Sequence, residues 1–278
     1  MAIQLREQRI KPFLRWAGGK SWFHDNLSRL LKGNNFTGYY EPFLGGGSVF
    51  LSLDLREIPT TLADANRELI DTYIAVRDSP KKIIKYLSSY TNTAEFYYSL
   101  RAQEPADKYE KAARFIYLNH TSFNGLYRVN SNGKYNVPYG RRKFNTEIFE
   151  SIREAGKALK GVHLLSGDFA KRIKVIREGT LVFLDPPYTV SNNNGFIAYN
   201  QKLFSLEDQE RLAEYIGYIK KQGAYFILTN AAHKEIKNIF KDTGRCIEVQ
   251  RQNSIGGRNA RRGITSEYVF TNIEPSED

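Results

Sequence analysis

The run Leu181-Val182-Phe183-Leu184 carries no polar side chain and stops at Asp185-Pro186-Pro187-Tyr188. A strand that is apolar on both faces belongs inside a covered sheet, which is where parallel strands lie. Two successive prolines remove two backbone donors and end the ladder there. The segment therefore predicts a buried strand whose first residue outside the sheet is a carboxylate, followed by a rigid turn and an aromatic ring. A turn of that kind can be no more than a strand ending. It gains meaning from the other segments built the same way.

Those segments alternate strand and helix. A strand at 39–41 runs into Pro42-Phe43-Leu44-Gly45-Gly46-Gly47, and Ser48 is placed to cap a helix carrying Val49, Phe50, Leu51 and Leu53. A strand at 60–63 ends at Asp64 and precedes a helix with Leu69, Ile70, Tyr73 and Ile74 at helical spacing. Further on, a strand at 162–165 precedes Asp168-Phe169. A helix at 206–222, a strand at 225–229, a short helix after His233 and a hairpin of 247–250 with 268–271 complete the pattern. This alternation predicts an α/β fold with a mostly parallel, doubly wound, Rossmann-like sheet. Residues 78–160 differ, reading as helices at 82–90, 94–101, 109–118 and 147–159 around an irregular stretch at 120–143. The expected organisation is one α/β domain made of 1–77 and 161–278, interrupted by a helical insert at 78–160. The segments 190–201 and 274–278 read as a polar loop and a frayed acidic tail.

In an open α/β sheet, residues just past the strand ends meet at one crevice. The candidate site residues all fall there. Glycines 45–47 let the backbone approach a ligand closely, and Asp64 at the end of the next strand suits two ribose hydroxyls. The third glycine of a dinucleotide fingerprint is replaced by Phe50, so a nucleoside without pyrophosphate fits better, S-adenosylmethionine among them. Trp16-Ala17-Gly18-Gly19-Lys20 lacks the spacing of a phosphate-binding loop. It reads either as a turn presenting Lys20 to a ligand carboxylate or as a buried Trp beside a surface Lys. Asp168 can accept from an adenine amino group while Phe169 packs on the ring, or can simply cap a helix. Asp185 and the Pro186 carbonyl supply acceptors for both hydrogens of an amino group on a flat ring, with Tyr188 to stack on that ring.

The chain of 278 residues has a formal net charge of +11, which favours a polyanionic partner. The cations are interleaved with aromatics. Arg128, Lys134, Arg141, Arg142 and Lys143 share a segment with Phe123, Tyr127, Tyr135 and Tyr139, and Arg251, Arg258, Arg261 and Arg262 surround Gly256-Gly257 in an expected mobile loop. Nucleic-acid surfaces use such mixtures for phosphates and bases. No stretch is long and apolar enough for a membrane span. The N-terminus lacks a signal-peptide core, and Cys246 is the single cysteine, so a reducing cytoplasm is the expected compartment. The four histidines lie apart at no metal-ligand spacing, and no metal is expected.

Taken in order, Trp16–Lys20, Glu41-Pro42-Phe43-Leu44-Gly45-Gly46-Gly47-Ser48-Val49-Phe50, Ala63-Asp64-Ala65-Asn66, Asn124-Gly125-Leu126-Tyr127-Arg128-Val129-Asn130, Asn136-Val137-Pro138-Tyr139-Gly140-Arg141 and Asp185–Tyr188 resemble the Dam-type DNA adenine-N6 methyltransferases. The likeness runs from about residue 11 to 273, with the glycine loop before the DPPY motif and the insert between them, as in the family's α class. It implies S-adenosylmethionine held by Trp16, Lys20, Phe43, Gly45, Asp64, Asp168, Phe169 and Asp185. It also implies an adenine flipped from double-stranded DNA into the pocket of Asp185, Pro186, Pro187 and Tyr188. The recognition segment would be 120–143. There Arg128 reads a guanine, Leu126 wedges into the base stack, Phe123 and Asn124 touch bases, and Pro138 and Arg141 hold recognition positions. Arg15 stands where the family often has Lys and is expected on a flanking base. The segment closely resembles that of GATC-modifying members, so GATC is the expected site and a neighbouring sequence is the alternative. A monomer is expected, serving alone or beside a restriction endonuclease that acts independently. Two other readings compete: N-methylation of RNA or of a protein glutamine, and a silent DNA-binding module.

Overall fold

The structure, a computed structural model, describes residues 1–188, 204–252 and 264–274. Its strands are β1 (Gln4–Leu5), β2 (Gly38–Glu41), β3 (Leu53–Asp54), β4 (Thr60–Asp64), β5 (His163–Ser166), β6 (Thr180–Leu184), β7 (Tyr225–Ala231), β8 (Arg245–Gln252) and β9 (Ile264–Thr271). Its α-helices are α1 (His24–Leu31), α2 (Arg67–Asp78), α3 (Pro80–Ser89), α4 (Ala94–Ala102), α5 (Lys108–Thr121), α6 (Ile148–Ala158), α7 (Leu206–Lys221) and α8 (Lys234–Phe240).

Seven strands form one sheet in the order β5-β4-β2-β6-β7-β9-β8. The first five are parallel neighbours, and β9 and β8 close the sheet as an antiparallel hairpin. This is a Rossmann-like α/β sheet. The apolar run of β6 behaves as its composition demands: every residue is buried, and alternate side chains feed opposite faces. Leu181 and Phe183 pack with Tyr39, Leu62, Ile70 and Tyr73 on one face. Val182 and Leu184 pack with Phe226, Leu228 and the α7 residues Leu212 and Ile216 on the other. The first of these clusters continues into the helical segment through Tyr97, Ala113 and Ile116.

From β2 the chain steps outward to β4 and β5, then returns to lay β6 on the other side of β2. The strand order reverses between β2 and β6, so a crevice opens at their carboxyl ends. Glu41, Asp64, Ser166 and Leu184 are the last residues of four parallel strands and point the chain into that crevice.

One local expectation is corrected, and one element was not foreseen. Ser48 caps no helix. Its hydroxyl accepts from the Lys20 amide at 3.1 Å, and the following residues make one 3₁₀ turn, Phe50–Ser52, before extending as β3 against β1. The apolar residues that suggested a helix, Val49 to Leu53, are instead buried in that turn. The helix α1, with Leu27, Leu30 and Leu31 buried, is an element that the sequence reading passed over. The loop at 190–201, the basic residues Arg258, Arg261 and Arg262 with Gly256-Gly257, and the tail beyond Glu274 lie outside the described residues. Among the described residues no helix is long and apolar enough to cross a membrane.

Candidate active site

The glycine loop leaves β2 at Glu41. Leu44 donates its amide to Ala63 at 2.9 Å, and Gly45 and Gly47 take φ of +49° and +66°, a region that favours glycine. The Gly45 amide donates to Asp64 Oδ2 and the Asn66 amide to Asp64 Oδ1, each at 2.9 Å. Burial pushes the Asp64 carboxyl up, while the amides of Asn66, Gly45 and Ala65 pull it down. Trp16 lies against the loop so closely that a Cβ on Gly45 would sit 2.8 Å from its Cδ1, and one on Gly46 2.9 Å from its Cβ. The same indole stacks on Tyr127, centroids 5.6 Å apart. One side chain thus joins the glycine loop to the insert.

Lys20 is not a surface lysine. It is 4% exposed, and its ammonium lies 2.7 Å from Asp185 Oδ2 and 2.8 Å from the Gly18 carbonyl. Asp185 Oδ1 accepts from the Thr229 hydroxyl at 2.8 Å. The carboxylate is therefore fixed from two sides, by the turn before α1 and by β7. Pro186 is buried and Pro187 exposed. The Lys20 ammonium also sits 5.1 Å over the Tyr188 ring, and the Tyr188 hydroxyl donates to Glu267 on β9. Burial, with the nearby charges of Asp185 and Glu267, pushes the Tyr188 phenol well above its ordinary value.

Phe43 and Phe169 pack together at 5.3 Å, with Phe204 beside both. Phe169 is 4% exposed. Asp168 realises the capping reading by accepting from the Ala170 amide at 3.0 Å, and it also pairs with Arg211. Beneath the loop lies Glu41, to which the sequence reading assigned no role. It is buried, and Tyr39 donates to it at 2.6 Å. Burial above all, with Asp185 and Asp64 nearby, pushes its carboxyl up to about 8. Among the described residues no cluster of three or more His, Cys, Asp or Glu side chains is placed to hold a metal ion.

The insert presents a second group. Ser122 and Val129 bridge Tyr139 and Tyr135, folding 122–139 into a doubled-back loop. Phe123 donates to the Pro138 carbonyl at 2.9 Å, and Arg128 Nε donates to Asn136 Oδ1 at 2.8 Å. Asn124 and Arg141 take φ of +55°. Phe123 and Leu126, on the first limb of the loop, are 53% and 41% exposed, large apolar side chains left in solvent. Buried Asn119 ties Arg15 to this loop. Its Oδ1 accepts from the Arg15 amide at 2.7 Å, and its Nδ2 donates to the carbonyls of Arg15 and Gly125. A Cβ on Gly125 would lie 2.9 Å from Arg15 Cδ.

Residues 16–255 match the family model of the D12 class N6 adenine-specific DNA methyltransferases. The chain belongs to this class. It is an adenine-specific DNA methyltransferase, and it resembles relatives along most of its length. A type II methyltransferase, M1.LlaDCHI of Lactococcus lactis subsp. cremoris, is 33% identical over 97% of this chain and 98% of its own. M.MjaIII of Methanocaldococcus jannaschii is 38% identical over 80% and 84%. The DNA adenine methylase of Escherichia coli K12 is 35% identical over 73% and 74%. These likenesses favour DNA over the RNA and protein-glutamine alternatives. Within the methyltransferase, sequence reasoning reached Asp64, Asp168 and Asp185, whose place at strand ends is a visible signal. It missed Glu41, Thr229, Asn119 and Glu267, whose importance comes from partners distant in sequence. For Thr229 a signal existed, since it lies in the strand expected at 225–229.

Proposed function

We propose that the methyltransferase takes its methyl group from S-adenosylmethionine and delivers it to N6 of an adenine extruded from duplex DNA, within GATC. The observation that carries this is the meeting of the glycine loop, Asp64, Lys20, Asp185 and Tyr188 at the crevice between β2 and β6. The residues fit the methyl donor chemically. Asp64, already aligned by backbone amides, presents carboxylate oxygens that can accept from a ribose diol. Trp16 and Phe43 offer apolar walls, Phe169 backs Phe43, and Asp168 offers an acceptor to an adenine amino group. The Lys20 ammonium has three donors, of which Gly18 and Asp185 take two. When bound, S-adenosylmethionine supplies a methyl group on a cationic sulfur that is already a good leaving group.

The protein's share of the chemistry lies at Asp185. An exocyclic amine conjugated with a purine is a poor nucleophile. Asp185 Oδ and the Pro186 carbonyl accept its two hydrogens and draw the lone pair out of the ring. The Asp185 carboxylate faces a nitrogen that becomes positive as it takes the methyl group and returns to neutral by giving up one of its two protons, by way of Asp185 to solvent. Tyr188 stacks on the extruded base. Pro187 stiffens the turn. Positioning and the electrostatics of a dry pocket supply the rate, and no covalent enzyme intermediate is needed.

Specificity belongs to the doubled-back loop. Arg128, oriented by Asn136, reads a guanine. Leu126 wedges into the space left by the base, Phe123 and Asn124 touch neighbouring bases, and Pro138 and Arg141 shape the loop. Arg15 reaches a flanking base. The chain works as a monomer in the cytoplasm, with 1–77 and 161–278 as the catalytic domain and 78–160 as the recognition domain, and any cognate endonuclease acts separately. Sequencing of methylated sites in DNA from cells expressing the chain tests this: N6-methyladenine within GATC is expected. Methylation at a different sequence removes the GATC assignment. Tritiated methyl transfer to RNA or protein but not to duplex DNA removes the reading itself.

A further inference from the structure

We propose that Glu267 is a positioning residue that clamps the Tyr188 hydroxyl and so sets the plane of the ring against which the extruded adenine lies. This rests on the reading of Tyr188 as the base-stacking residue. Glu267 stands on β9 opposite Ala231 of β7, two residues beyond Thr229 along that strand, and is 2% exposed. A buried carboxylate is costly unless it is hydrogen-bonded. Here it accepts from Tyr188 at the wall of the crevice.

The geometry gives that contact a task. The χ2 torsion of a tyrosine is broad, so a ring held only at its Cβ end can rotate. A hydroxyl anchored at the far end removes that freedom. The Lys20 ammonium over the ring also pairs with Asp185, and Asp185 accepts from Thr229. The ring, the ammonium and the catalytic carboxylate thus form one linked unit, braced from β7 and β9. The raised phenol keeps its proton and remains a donor to Glu267.

The test is a double-mutant cycle read by single-turnover methyl transfer, by donor and DNA affinity, and by the fluorescence of 2-aminopurine placed at the target adenine. Glu267→Ala and Tyr188→Phe are each expected to slow transfer about tenfold to a hundredfold, since small misplacement of a reacting group has that scale of effect. Donor and DNA affinities are expected to change little, and the fluorescence is expected to show a base still extruded. The double variant is expected to be no slower than the slower single one. Glu267→Gln, whose amide oxygen can still accept, is expected to recover most of the lost rate. Multiplying effects in the double variant, or a wild-type rate in Tyr188→Phe, would overturn the proposal. If Glu267→Ala fails to fold, Tyr188→Phe against Glu267→Gln still decides it. A wild-type rate in Tyr188→Ala would instead overturn the stacking role of Tyr188 itself. Loss in Tyr188→Ala with full activity in Tyr188→Phe would sink only the part played by Glu267.

Discussion

Glu41 is a carboxyl buried beneath the glycine loop, at the end of β2. Its carboxyl is pushed up to about 8 by burial, and by Asp185 and Asp64, against the hydrogen bond from Tyr39. In the unfolded chain it loses its proton near the ordinary 4.5. The stability gained from folding with Glu41 protonated is thus fully present below that value and is lost as pH rises through about 8. The melting temperature is expected to fall between about pH 5 and about pH 8.5, and Glu41→Gln, which keeps an acceptor for Tyr39, is expected to shrink that fall. An identical pH profile for the variant would show that Glu41 does not titrate in this range. His120 works in the opposite direction. Burial, foremost, holds its imidazole down to about 4, so folding disfavours its protonation as pH drops below the ordinary 6.5. None of this was legible in the sequence. An acid before Pro42 looks like any strand-ending residue until Tyr39 and Tyr73 are packed around it.

At the scale of elements, the glycine loop and the doubled-back loop at 122–139 are each fixed by a contact from outside. Gly46 has ordinary φ, so what it avoids is collision with Trp16. Gly46→Ala is expected to displace the indole and to weaken binding of S-adenosylmethionine about tenfold by titration calorimetry, because the loop and Trp16 are packed with no slack. Unchanged affinity would mean that Trp16 yields without consequence. Arg128 is exposed and oriented by Asn136. Arg128→Ala is expected to cost about 1–3 kcal/mol at one base pair and to relax specificity there. Equal weakening on every sequence would make Arg128 a phosphate contact instead. Helices α2 to α8 and the seven strands of the main sheet were readable because apolar periodicity and turn residues agree, whereas β1 and β3 were not read. The turn at Phe50–Ser52 was not, because the Ser48 hydroxyl is taken by the Lys20 amide from a distant segment. Likewise α1 gives a short pattern of Leu27, Leu30 and Leu31 that is easily passed over.

The whole molecule brings the candidate site residues together by topology. Parallel strands leave the sheet at the same edge, and the reversal between β2 and β6 opens the one place where the glycine loop, Asp64 and Asp185 meet. That convergence followed from the order of strands and acids in the sequence. The bracing of Asp185 by Lys20 and Thr229 did not, since it joins residues some 165 and 44 positions apart that only the fold brings together. The basic balance of +11 suits a chain that acts on a polyanion such as DNA. The decisive measurement is single-turnover transfer of a tritiated methyl group from S-adenosylmethionine to duplex DNA by Asp185→Ala. The variant should fold, bind the duplex and transfer nothing above background. Transfer at the wild-type rate would place the chemistry elsewhere.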